Sequence, residues 1–203
     1  APADSLIASA SLVYTGTWFS DESALLTTGI DLKGQSSGDI AIVRNGGRGP
    51  IEPLIASQFQ EAFPALSPDQ RWLAFASDQS GSNEVYLRPL DGEGDQVQVS
   101  QGGGTEPVWG PDGREIFYRA SEVQGDVKLM VATVRTTPEL AVLSRRALFS
   151  VLEMAGSAPH ANFDISPDGR TFAMVQRSSA NRIMVIQNLA ALLRKLRSAG
   201  SRE

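Results

Sequence analysis

The chain has 203 residues, 41% hydrophobic and 20% charged, a globular make-up that excludes a disordered segment. Eighteen basic against 23 acidic side chains give a net charge of −5, so whole-chain attraction to nucleic acid or anionic lipid has no electrostatic basis. The absence of cysteine excludes disulfides and cysteine-ligated zinc, and a single histidine, His160, leaves little for a histidine relay.

No apolar run approaches the roughly eighteen residues that a membrane-spanning helix needs. A brief apolar run at Leu6 and Ile7 reads as an outer strand of a blade whose inner strands are not in this chain, or, in a closed ring, as the missing outer strand of the last blade. Four related segments follow. They are Trp18-Phe-Ser-Asp-Glu-Ser-Ala-Leu-Leu-Thr, Ala65-Leu-Ser-Pro-Asp-Gln-Arg-Trp-Leu-Ala-Phe, Val108-Trp-Gly-Pro-Asp-Gly-Arg-Glu-Ile-Phe-Tyr and Asp164-Ile-Ser-Pro-Asp-Gly-Arg-Thr-Phe-Ala-Met. Their aspartates, Asp21, Asp69, Asp112 and Asp168, stand 48, 43 and 56 residues apart. A period in this range, with a turn inside each unit, is the size of a four-stranded propeller blade.

Each turn has a physical basis. Proline (Pro68, Pro111, Pro167) presets φ at the first corner, and the aspartate can accept bonds from amides ahead of it. Gly113 and Gly169 then take the left-handed position that other residues resist, while Ser67 and Ser166 open two of the turns. The first unit has Asp21-Glu22 without proline or glycine, and the second has Gln70 in the glycine position; both turns are expected to form, the second at a cost of about 1 kcal/mol. These eleven residues are read as structural: Asp21, Ser67, Pro68, Asp69, Pro111, Asp112, Gly113, Ser166, Pro167, Asp168 and Gly169.

Around the turns lie short runs of aromatic and β-branched residues. In the second unit these are Trp72 to Ala76, Val85 to Leu87, then Val97 and Val99, with hairpin loops at 77–83 and 91–94. The third unit continues with Glu115 to Arg119, Lys128 to Val134 and an outer run near Ala147 to Ser150, its extra length expected between the last two strands. The fourth has Thr171 to Val175 and Arg182 to Ile186 with no clear outer strand. Beyond it, Leu189, Leu192, Leu193 and Leu196 recur at helical spacing ahead of a polar tail.

The expectation is an all-β chain of about four four-stranded antiparallel blades at 16–56, 62–101, 106–150 and 161–188, with a short C-terminal α-helix at 189–197 and a tail at 198–203. It forms either part of a larger β-propeller or a small closed one. In an open arc the end blades expose strands that invite self-association.

The repeat resembles that of TolB-type, WD-repeat-like bacterial β-propellers. From about Trp18 to Leu196 it is most similar to the C-terminal propeller of bacterial serine/threonine protein kinases. The phrases that carry this are Gly38-Asp-Ile-Ala-Ile-Val, Ser77-Asp-Gln-Ser-Gly-Ser-Asn-Glu-Val-Tyr-Leu-Arg-Pro-Leu, Val99-Ser-Gln-Gly-Gly-Gly-Thr-Glu-Pro-Val-Trp and Phe163-Asp-Ile-Ser-Pro-Asp-Gly-Arg-Thr-Phe. The resemblance implies a non-catalytic sensor or scaffold that binds a protein or small ligand at its end loops, in a periplasmic more than a cytoplasmic setting. Neither a glycine-rich nucleotide loop nor a His-Arg-Asp stretch of a kinase domain is present. The alternatives are the propeller of a prolyl-peptidase-like hydrolase and a TolB-like envelope protein.

Candidate chemistry is sparse. Gly34-Gln35-Ser36-Ser37-Gly38 matches a nucleophile elbow in letters, but a strand pattern follows it where the elbow needs a helix. The repeated aspartates offer one carboxylate per turn, on turns expected to lie apart, which suits local amide binding better than a calcium site. The acidic hairpin with Asp91, Glu93 and Asp95 reads as solvated. Gly102-Gly103-Gly104-Thr105 lacks the lysine of a phosphate loop and reads as a link between blades. His160 reads as a surface loop residue. Trp18, Trp72 and Trp109 are expected to supply bulk between blades. No catalytic, cofactor-binding or metal-ligating residue is assigned.

Overall fold

The computed structural model describes residues 14–30, 38–121, 126–156, 160–176 and 182–186. Their strands form four antiparallel sheets, in each of which every strand lies beside its neighbour in sequence. The first sheet holds β1 (Tyr14–Trp18), β2 (Leu25–Ile30), β3 (Asp39–Val43) and β4 (Ile51–Ile55). The second holds β5 (Glu61–Leu66), β6 (Trp72–Ser77), β7 (Glu84–Pro89) and β8 (Val97–Gln98). The third holds β9 (Thr105–Trp109), β10 (Glu115–Ser121), β11 (Val127–Arg135) and β12 (Ala141–Ser150). The fourth holds β13 (Phe163–Ile165), β14 (Phe172–Gln176) and β15 (Arg182–Ile186).

Alternation along each strand sends successive side chains to opposite faces, so both faces of an inner sheet can be apolar and bury against a neighbour. Leu73 and Phe75 of β6 pack with Leu26, Ile40 and Ile42 of the first sheet. Ala74, between them, turns the other way and joins Val85 and Leu87 against Trp109, Ile116 and Tyr118 of the third sheet. Phe117, next to Ile116, then meets Phe163, Phe172 and Met174 of the fourth, with its ring 5.1 Å from that of Phe172 in an edge-on pair. Three apolar seams result, each joining consecutive sheets. Each large side chain sealed in them is worth about 1.5–3 kcal/mol relative to exposure. Burial pushes the Tyr118 hydroxyl up to about 12, since its ionised form would lose hydration there.

The four Asp-centred turns share one geometry. Glu22, Gln70, Gly113 and Gly169 donate their amides to the carbonyls of Phe19, Ser67, Gly110 and Ser166 at 2.8–3.0 Å. Asp21, Asp69, Asp112 and Asp168 accept from the amides of Ser23, Arg71, Arg114 and Arg170 at 2.9–3.1 Å. The residue after each aspartate is left-handed, with φ of 59°, 58°, 69° and 67°. Glycine tolerates this at positions 113 and 169; Glu22 and Gln70 adopt it at a cost of about 1 kcal/mol each. Gln70 offsets that cost across blades, since its side-chain amide donates to the Ser20 hydroxyl and its Oε1 accepts from the Ser20 amide at 3.2 Å.

Several expectations are modified. The extra length of the third unit is not a loop between its last strands. It lengthens the strands themselves to nine and ten residues, paired from Lys128↔Ser150 to Arg135↔Ala141. Trp109 is buried and donates its indole N–H to the Ala65 carbonyl at 3.1 Å, across the second seam. Trp18, by contrast, is 42% exposed and supplies no bulk to a seam among the described residues; its six-membered ring lies over Gly47. The apolar run at Leu6 and Ile7, residues 34–37 of the elbow-like pentapeptide, the C-terminal helix and the polar tail lie outside the described residues.

Candidate functional site

The innermost strands, β1, β5, β9 and β13, converge on a cleft of about 470 Å³. Its walls mix apolar side chains, Phe63, Pro64, Pro107, Val108, Trp109 and Phe163 prominent among them, with a comparable polar surface to which Thr17, His160 and Asp164 contribute. The local backbone runs against the local sequence, since a residue before proline favours an extended conformation. Phe63 and Glu106 each precede a proline and sit in the left-handed region with φ of 57° and 55°. At these points the innermost strands lose register with their partners, between Ala62 and Ala65 on β5 and opposite Phe117–Arg119 on β9. A bulge of this kind bends the strand and re-aims its side chains: Phe63 lines the cleft, while Glu106 turns to Arg119. A bulky residue at positive φ costs roughly 1–3 kcal/mol and persists only where its surroundings hold it.

Those surroundings are polar and buried. Glu106 Oε1 lies 3.2 Å from Arg119 Nε, with both side chains almost fully shielded from solvent. The other oxygen of Glu106 accepts the Asn162 amide at 2.7 Å, and Arg119 donates to the Ala155 carbonyl at 2.8 Å. One ion pair therefore ties the third sheet to the segment carrying His160 and Ala161, which forms one wall of the cleft. The opposite side is fixed by the Thr17 hydroxyl, which donates to the Pro64 carbonyl at 3.2 Å. His160 is exposed at the cleft, with Nδ1 3.4 Å from the Ala161 carbonyl.

The turn residues chosen from the sequence lie to one side of this chemistry. Asp21, Asp69, Asp112 and Asp168 are all exposed. Hydrogen bonding holds two of them below the ordinary aspartate value: Asp21 through Ser23, and Asp168 through the Ser166 hydroxyl and then the Arg170 amide. Pro68 alone of the eleven lines the cleft. The turns do not lie apart, contrary to expectation. Gln70 reaches Ser20, a Cβ on Gly113 would meet Pro68 at 3.8 Å, and one on Gly169 would meet Pro111 at 3.3 Å. Each turn leans on the one before it because the same corner recurs in successive sheets. Among the described residues no group of three or more acidic or histidine side chains is placed to hold a metal ion.

Sequence reasoning missed two features. One is the Glu106–Arg119 pair, whose partners read as ordinary strand residues. The other is a recurring clasp between an acid near the start of the third strand and a serine after or at the end of the fourth. Ser100 donates to Glu84, and Ser150 to Asp126 at 2.7 Å. Acid and serine recur at these places in the sequence, but only the folded sheet brings them together.

No protein-family model and no curated protein sequence matches the chain. Solved structures do match in fold. TolB from Acinetobacter baumannii superposes with a TM-score of 0.65 at 18% identity, over 91% of this chain and 43% of that one. A puromycin-hydrolyzing peptidase of Mycobacterium tuberculosis gives 0.62 at 17% identity, over 90% of this chain and 30% of the peptidase. An oligogalacturonate lyase in complex with manganese gives 0.58 at 18% identity, over 89% and 52%. The described sheets are thus blades of a partial β-propeller, similar in fold to that of TolB. The chain spans less than two thirds of the length of each of these proteins.

Proposed function

We propose that the chain is a non-catalytic recognition module that seats a protein segment or small ligand on the axial cleft and the loops around its mouth. The observation that carries this reading is the cleft itself: four innermost strands, held by bulges and a buried ion pair, present proline and aromatic surface interspersed with polar groups. A concavity of this size, with mixed apolar and polar walls, suits binding. The resemblance of the 77–90 and 99–109 phrases to kinase-linked propellers supports the finer reading of a sensor portion in a larger bacterial signalling protein, on the periplasmic side. TolB-like similarity in fold is compatible with an envelope protein, and fold alone does not choose between them.

The test uses the purified chain on an array of random peptides, with a Thr17→Trp variant that fills the cleft. A discrete set of peptides bound by the parent and lost in the variant is the expected result. A peptide profile identical in both proteins would overturn the cleft as the site. Turnover in an esterase and peptidase screen, abolished by Asp164→Asn or Ser36→Ala, would overturn the non-catalytic reading.

A further inference from the structure

The corner where β3, β5 and the serine clasp meet differs chemically between the first two seams. In the second seam Glu84 takes the Ser100 hydroxyl and the Gly103 amide, at 2.8 Å for the latter, and both its oxygens are satisfied. The next residue, Gly104, donates its amide to the Asn83 carbonyl at 2.8 Å. A side chain at 104 would collide with the clasp, since a Cβ there would lie 2.3 Å from the Ser100 hydroxyl. The corner is filled by one carboxylate and one serine.

In the first seam the equivalent of Gly104 is Glu61. Its amide donates to the Gly38 carbonyl at 2.7 Å, the same bond that Gly104 makes to Asn83. The third-strand acid is still present as Asp39, fully buried, and so is the serine, Ser57, whose hydroxyl now goes to Glu61 Oε1. Glu61 is 2% exposed, and its Oε2 has no hydrogen-bond partner among the described residues. The corner thus contains a second carboxyl where the next blade places Gly104. We propose that this corner binds a proton on Glu61, and that the seam between the first two blades tightens when the proton is held and loosens when it is lost.

The charged surroundings agree. Of the elements packed on β5, β3 brings Asp39, the loop after β6 brings Asp78, β1 brings the exposed Tyr14, and β2 and β6 bring no titratable side chain. Glu106 of β9 is engaged by Arg119. Asp78 Oδ1 accepts the Gln60 amide at 2.9 Å, next to Glu61. Burial pushes the Glu61 carboxyl above the ordinary glutamate value, the Ser57 hydroxyl opposes this, and the Asp39 and Asp78 charges add to it. With the folded value raised, the stability tied to the proton is fully present below the unfolded glutamate value. It is lost as pH rises through the folded value. Protonation also turns Oε2 from an acceptor into a donor.

Carboxyl-carbon NMR titration of the full chain tests this, together with melting temperature against pH. The Glu61 resonance is expected to titrate above 4.5, the ordinary value for glutamate. Asp78→Asn lowers that midpoint and Ser57→Ala raises it. Each unit of displacement is about a tenfold change in the relative stability of the seam. Glu61→Gln removes the corresponding loss of melting temperature as pH rises through the midpoint. A Glu61 midpoint at or below 4.5 overturns the proposal, as does a Glu61→Gln profile parallel to the parent's. Should Glu61→Gln fail to fold, an Asp78→Asn midpoint equal to the parent's does the same.

Discussion

The third and fourth blades use the same register for opposite ends. Phe117 of β10 is buried to 1% exposure between them, whereas Ala173, in the matching position of β14, is exposed. The third blade has strands of five, seven, nine and ten residues; the described strands of the fourth have three, five and five. A blade face is a core only when another blade covers it. The repeat encodes the face, and the neighbour supplies its energy. The contrast also explains why stability in this molecule resides in seams and not in single sheets, which bury too little alone.

Breaking the contrast hardest is Phe117→Ala. It removes a ring packed on Phe172 inside the third seam and is expected to cost about 3–5 kcal/mol in chemical denaturation. Ala173→Ser at the matching exposed position should stay within about 0.5 kcal/mol. Equal losses at the two sites would show that the fourth blade's outer face is sealed. Arg119→Met, which leaves Glu106 buried without its cation, is expected to cost about 3 kcal/mol or more. It should also release the wall carrying His160, seen as faster exchange of the Asn162 amide proton. Because the two side chains pair directly within the third sheet, a double-mutant cycle with Glu106→Gln should show strong coupling.

The turns give smaller effects. Gly169→Ala and Gly113→Ala place a side chain at φ of 67° and 69° and should each cost about 1 kcal/mol in the same denaturation assay. Gln70→Gly relieves the corresponding strain but loses both contacts to Ser20, so its net change should be smaller. Smallest are the turn carboxyls. Asp21 and Asp168 are fully exposed and should titrate below 3.8 by NMR. Their contribution, modest in solvent, is present above the unfolded aspartate value and fades as pH falls through the folded one.

The repeat was the legible part of this chain. Ser-Pro-Asp-Gly specifies a turn by local chemistry, and the alternating runs on either side specify strands, so the succession of sheets could be read from residues near one another. Left-handed Gln70 was legible for the same reason. Its bond to Ser20 was not, because the two residues lie in different blades and meet only when corners recur in space. The exposure of Trp18 was illegible too. Its counterparts Leu66 and Trp109 pack on the preceding blade, and composition cannot say whether a blade precedes it. The cleft was hidden most deeply, since Phe63 and Glu106 owe their left-handed backbone to bulges sustained by Arg119 and neighbouring strands.

The three tryptophans allow one direct measurement of the central claim, that successive blades bury their faces against one another around an axis. Hydrogen exchange of the indole N–H protons should be slowest at Trp109, which donates to Ala65 in the adjoining blade, intermediate at half-buried Trp72 and fastest at exposed Trp18. A Trp109 indole proton that exchanges as fast as that of Trp18 would contradict the account, because no sealed seam would then lie between the second and third blades.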